Sequence, residues 1–235
     1  MAPEEPDRDE REERERPDPQ RRFTAMVGLA FLGLIVVAAL NTFGDEEGGV
    51  LGTEETTGEP LAEFAVPDIR GTLDGDGNVA QDDCETAENP CPADARRSPA
   101  CEIDVEGAIR VCDLFDRPLV ISSWFTRGAD CLPTGDAVDR VAREYRGRVN
   151  FLSMNSGDDR AVVERIVAER GWDLPVGWDR DGTVSTVLGV GACPTLIFAF
   201  PGGIIDDVSI GELEEAEIAE RVEALVRESA RRAPA

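Results

Sequence analysis

Apolar positions recur along this chain with three different spacings, and each spacing predicts a different kind of element. The first is an unbroken run. Phe23 to Phe43 holds no charged residue, and as a helix it would be about 31 Å long, against roughly 30 Å of bilayer hydrocarbon. Arg21 and Arg22 precede the run, and Asp45, Glu46 and Glu47 follow it. The arginine bias predicts a cytoplasmic N-terminus and an extracytoplasmic remainder, with the cell membrane as location. A cleaved secretory signal is the rival reading. The run is long for a signal core and no A-x-A-like site follows it, so an uncleaved anchor is expected.

The second spacing is helical. Ala137, Val138, Val141, Ala142 and Tyr145 predict one helix, ended by Gly147. Val162, Val163, Ile166 and Val167 predict another, from near Asp158 to Gly171, and Leu213, Ile218, Val222, Leu225 and Val226 predict a last one. The third pattern is the short apolar run of a buried strand: Leu119–Phe125, Val149–Met154, Thr195–Phe200 and Ile204–Ser209. Pro201-Gly202-Gly203 joins the last two as a hairpin. Strand, helix, strand at these lengths is a parallel βαβ unit, and the order β-α-β-α then β-β-α predicts an α/β domain with a mixed sheet covered by helices on both faces.

The flanking composition sets the boundaries. Residues 1–22 carry nine acids, six arginines and four prolines and are expected to be disordered. Residues 44–60 read as a flexible tether, leaving one domain at 61–230 with an irregular insertion at about 72–117. The net charge is −25, from 49 acidic residues and 24 basic ones, and all of the basic ones are arginine. After residue 43 the balance is 40 acids against 18 arginines. Such a chain is repelled by nucleic acid. Without histidine or lysine there is no Ser-His-Asp triad, no histidine metal ligand and no Schiff-base lysine. Six cysteines remain as the reactive residues. No organic cofactor and no metal are expected.

The order of elements resembles the thioredoxin-like fold, and four segments carry the likeness. Trp124 and Cys131 resemble the tryptophan and the second cysteine of W-x-x-W-C-x-x-C. Gly191–Phe198, GACPTLIF, resembles the segment around that fold's cis-proline, which would be Pro194. Pro175–Val190 is similar to the stretch before that proline in membrane-anchored thiol–disulfide reductases and peroxiredoxins, and Glu63–Gly71 is similar to their opening segment. The resemblance implies a redox corner at Cys131, flanked by Trp124, Arg127, Gly128 and Pro194. It also exposes departures: Gly128 stands where the attacking cysteine would be, and Ser122 replaces a buried carboxylate two residues before the tryptophan.

Cys193 directly precedes Pro194, and the resemblance implies that this loop folds back onto the helix start at Cys131. A displaced redox pair, Cys131 with Cys193, follows as the expected catalytic dithiol, with thiol–disulfide exchange or redox sensing as its work and a protein thiol or disulfide as its partner. A helix N-terminus and Arg127 would favour the thiolate, and Asp130 would oppose it. Two other readings stay open: a non-catalytic interaction module held by structural disulfides, and a thiol peroxidase using Cys131. For the peroxidase, Thr126 lies too far upstream to complete T-x-x-C.

Cys84, Cys91, Cys101 and Cys112 are spaced wrongly for paired zinc ligands and are expected to form two structural disulfides, most simply in sequential order. Asp74, Asp76, Asn78, Asp82 and Glu85 match several calcium-loop positions, but Val79 occupies the position that needs glycine, so the segment reads as a solvated turn. Trp172 and Trp178 flank Pro175 and read as core-edge residues.

Overall fold

The structure is a computed structural model that describes residues 56–74 and 99–232. The predicted tail 1–22, the apolar run 23–43, most of the tether, Cys84, Cys91 and nearly all of the calcium-loop-like segment lie outside the described residues. Among those described, no helix is long and apolar enough to cross a membrane.

In chain order the elements are β1 (Ala65–Pro67), β2 (Ala108–Arg110), β3 (Leu119–Trp124), α1 (Leu132–Glu144), β4 (Asn150–Ser156) and α2 (Arg160–Arg170). There follow β5 (Val176–Asp179), α3 (Thr183–Val187), β6 (Thr195–Phe200), β7 (Ile204–Ile210) and α4 (Glu215–Arg232). Five strands form one sheet in the order β5-β4-β3-β6-β7. β3, β4 and β5 run parallel, and β6 and β7 are antiparallel to their neighbours. This is the mixed sheet that the βαβ unit and the hairpin predicted. β5 and α3 are additions to the predicted order, and β1 and β2 form a small separate antiparallel pair.

Strand alternation divides the core. Val120 and Trp124 of β3, Phe151 of β4, Trp178 of β5 and Leu196 and Phe198 of β6 face α1, α2 and α4. Leu119, Ile121, Leu152, Met154, Ile197 and Ala199 point the other way. On that second face, among the described residues, α-helical cover is limited to the five-residue α3. Leu61, Phe64 and Val66 of the entering segment supply most of the rest, with Val111 from a 3-10 turn at Val111–Leu114. Part of the proline-rich insertion is therefore regular after all, because β2 pairs with β1 and the 3-10 turn buries Val111.

The entering segment also guards both sheet edges, which would otherwise offer unpaired N–H and C=O groups. Pro60 bridges Ile204 at one edge and Asp68 bridges Gly177 at the other. Arg160, at the start of α2, ties the segment down by donating to the carbonyls of Ile69, Gly71 and Leu73. α2 stops at Gly171, whose φ of 64° forms the left-handed cap that glycine tolerates best.

Candidate functional site

The candidate site forms where β3, α1 and β6 meet. β3 ends at Trp124, and an exposed loop, Thr126–Asp130, carries the chain to Cys131. Cys131 is the N-cap of α1, with Pro133 in the first turn, where its missing N–H costs nothing. From the other side, the Cys193–Pro194 peptide is cis, and β6 starts at the next residue. Gly211 donates to the Pro194 carbonyl at 2.9 Å and so fastens this loop to the end of β7.

Cys131 and Cys193 are joined by a disulfide with a Cα–Cα separation of 5.8 Å across 62 residues of sequence, within the usual 4.4–6.8 Å. The bond joins the start of a 13-residue helix to the residue before the cis-proline. Cys131 is 1% exposed and Cys193 8%. Cys193 Sγ lies 3.7 Å from the Phe125 carbonyl oxygen, the acceptor a free thiol there would meet.

The site rests on aromatic packing. Trp124 is buried, donates from Nε1 to Ser153 Oγ at 2.8 Å, and meets Trp172 edge-on with centroids 5.3 Å apart. Trp172 in turn donates to Asp136 Oδ1 at 2.7 Å and lies so close to α1 that a Cβ on Gly135 would stand 2.6 Å from its ring. Both Trp172 and Trp178 are buried, so they belong to the core itself.

Gly128 has φ of 94°, a backbone conformation that side chains with a Cβ adopt at a cost. The position where the resemblance would put the first, attacking cysteine therefore has a conformational reason to be glycine. Arg127 donates from Nη1 to the Gly157 carbonyl at 2.8 Å, which commits one arm of its guanidinium to the end of β4. Asp130 accepts from the Leu132 N–H at 3.3 Å, so its carboxylate is directed to the helix start.

Sequence reasoning missed the polar cluster that holds this loop. Asp158, nearly buried, accepts from the Thr126 N–H at 2.8 Å, from Thr126 Oγ1 at 2.6 Å and from Asn155 Nδ2 at 2.8 Å. Asn155 is fully buried, and its Oδ1 has no hydrogen-bond partner. Asp158 marks a helix start in sequence, but nothing there pairs it with Thr126, 32 residues earlier. Asp179 was missed too. It is fully buried at the end of β5, and it accepts from the Val184 and Ser185 N–H groups at 3.1 and 2.8 Å. Burial pushes its carboxyl above the ordinary range, and the two N–H donors offset this only in part.

Away from this corner, Cys101 and Cys112 form the predicted second disulfide of the insertion, with a Cα–Cα separation of 5.7 Å. Glu63 brings a carboxylate oxygen within 4.8 Å of both sulfurs. With those sulfurs bonded to one another, the group is not a metal site in this state.

Thiol–disulfide oxidoreductase ResA of Oceanobacillus iheyensis is 24% identical over 113 residues, covering 48% of this chain and 58% of that protein. Among solved structures, a DsbF homologue from Corynebacterium diphtheriae matches with a TM-score of 0.54 at 14% identity, over 77% of this chain and 96% of its own. Peroxidoxin BcpB from Mycobacterium tuberculosis matches with a TM-score of 0.51 at 19% identity, over 74% and 97%. No family model matches. The structural likenesses establish the fold, and the ResA likeness agrees with it in sequence. With the strand order and the cis-proline corner already in place, the chain has the thioredoxin-like fold.

Proposed function

We propose that this protein performs thiol–disulfide exchange through Cys131 and Cys193, on a domain held outside the cytoplasm by the apolar segment 23–43. One observation carries the reading. The bond between Cys131 and Cys193 occupies the meeting point of a helix N-terminus and the cis-proline loop. A helix N-terminus stabilises a thiolate, and a stabilised thiolate is a good leaving group when the disulfide is attacked. The likeness to a relative named thiol–disulfide oxidoreductase supports the same chemistry. The partner is a protein thiol or disulfide, and the apolar segment is the part that meets lipid.

A redox titration of the full-length chain tests the proposal. Dithiothreitol buffers of graded potential are followed by alkylation and peptide mapping. The Cys131–Cys193 bond should reduce reversibly, in a folded chain, at a potential above about −300 mV, below which structural disulfides of exported proteins commonly lie. Reduction only on unfolding would end the exchange reading.

That result would favour the second reading, an interaction module in which the bond is structural. The 1% exposure of Cys131 is the observation on its side. Closing a 62-residue loop stabilises by about 4 kcal/mol in the chain-entropy treatment, which is motive enough for a structural bond. A peroxidase draws less support, because Thr126 gives its hydroxyl to Asp158.

A further inference from the structure

The two sulfurs of the Cys131–Cys193 bond are not equivalent, and their exposure and their places in the fold favour one direction of attack. Cys131 is 1% exposed and Cys193 8%. Cys131 is the N-cap of α1, where the positive end of the helix macrodipole favours a thiolate. Cys193 sits before β6 rather than at a helix start. Each sulfur also faces a carbonyl oxygen, Cys193 Sγ that of Phe125 at 3.7 Å and Cys131 Sγ that of Ala129 at 3.4 Å. A carbonyl repels a thiolate at either sulfur, and the helix N-terminus offsets this only at Cys131, which is therefore the better leaving group.

From these asymmetries we infer that an incoming thiolate attacks Cys193 and expels Cys131. This assignment rests on the exchange reading and adds an order to it. A new bond forms between the substrate sulfur and Cys193 Sγ as the Cys131–Cys193 bond breaks, and the electron pair leaves on Cys131 Sγ. The second thiol of a dithiol substrate, deprotonated to solvent, then attacks its own sulfur in the mixed disulfide and releases Cys193 as thiolate. The substrate loses two electrons and becomes a disulfide, the protein gains them as two thiols, and the protons are exchanged with water. By microscopic reversibility, Cys193 is also the sulfur that attacks a substrate disulfide in the opposite direction, with Cys131 resolving. The deeply buried cysteine at the helix start is thus the resolving one, and the residue before the cis-proline is the one that carries the substrate.

Reduced glutathione, a monothiol, reports the order on the unaltered chain. The oxidised full-length protein is mixed with it briefly, quenched in acid, alkylated and mapped by mass spectrometry. Glutathione should be found on Cys193 and the alkyl group on Cys131, with the opposite pattern lower by about tenfold or more. Glutathione mainly on Cys131 would overturn the order while leaving exchange itself intact. Glutathione on neither cysteine, with the chain folded, would remove the exchange reading and the order together. A second arm uses oxidised glutathione on the reduced single variants. Cys131→Ser should accumulate the mixed disulfide at Cys193 and Cys193→Ser should react about tenfold more slowly; the reverse ranking also overturns the order.

Discussion

Gly128 is the position at which this corner departs most from a C-x-x-C site, and replacing it tests why. At φ of 94° the backbone lies well into the left-handed half of conformational space. A Cβ there would meet no other atom within 4 Å, so crowding is excluded as the cost of substitution and only backbone conformation remains. That cost is about 1–2 kcal/mol for a residue other than glycine. For a domain of this size it lowers the melting temperature by about 2–8 °C. Gly128→Ala and Gly128→Cys should lose the same amount, because both add a Cβ and only one adds sulfur. Thermal unfolding of the full-length oxidised chain, followed by circular dichroism, measures the loss. Disulfide mapping of Gly128→Cys should still find Cys131 bonded to Cys193, since the loop does not hold position 128 as a helix-start residue. Either of two results would refute this reasoning: Gly128→Ala as stable as the wild type, or the introduced thiol capturing Cys131.

Four further outcomes are expected. Gly135→Ala should destabilise even though alanine is favoured over glycine in a helix, because Trp172 lies 2.6 Å from the new Cβ and overpacking costs about 1–3 kcal/mol against a propensity gain of about 1; a more stable variant in chemical denaturation would contradict it. Asp179, whose burial raises its carboxyl pKa, lends stability that is fully present below the unfolded-state value of about 3.9 and lost as pH rises through the raised folded-state value. The difference between Asp179→Asn and the wild type should therefore move in the variant's favour from pH 4 towards 7, and a pH-independent difference in urea midpoints would refute it. Asp158→Ala strips two hydrogen bonds from Thr126 in the loop before Cys131 and a third from Asn155 of β4; it should cost about 2–3 kcal/mol and speed alkylation of Cys131 in the reduced chain, and an unchanged alkylation rate would deny the cluster its hold on the loop. Replacing both Cys101 and Cys112 by serine should cost about 3 kcal/mol for the 11-residue closure without altering reduction of the Cys131–Cys193 bond; a shifted titration would show that the two bonds are coupled.

What could be read in advance follows from the range of the interactions concerned. Apolar alternation in β3 and β6 and the helical spacing of α1 and α4 are local, and the elements appear within a few residues of the predicted places. β5 was invisible because it is four residues long and contains Gly177, a position that suits no other residue. Val66 and Met154 would each lie under 3 Å from a Cβ there, and both come from other strands. The covering of the second face escaped for the same reason: it depends on where the entering segment crosses the sheet, and no periodicity in that segment encodes a crossing. The disulfide at the corner came from a resemblance in the local GACPTLIF segment, not from any spacing of the cysteines themselves.

The same distinction explains what a degenerate motif means here. Judged as a local pattern, the corner has lost its first cysteine, and the conclusion would be inactivity. Judged in three dimensions, α1 still starts at a cysteine, and a second sulfur reaches it from the loop before Pro194. Exchange chemistry needs two sulfurs at bonding distance and one of them able to leave as a thiolate; it does not need them three residues apart. The price of moving the partner is that each sulfur now belongs to a different element, so their separation depends on how the cis-proline loop sits against α1. Trp124 and Trp172 pack below α1, Gly211 grips the Pro194 carbonyl, and Asp158 fixes Thr126. In a C-x-x-C turn one helix start sets the geometry of the pair, whereas here three separate contacts share that task. The proposed exchange activity should therefore respond to substitutions at Gly135, Asp158 and Gly211, none of which carries a sulfur.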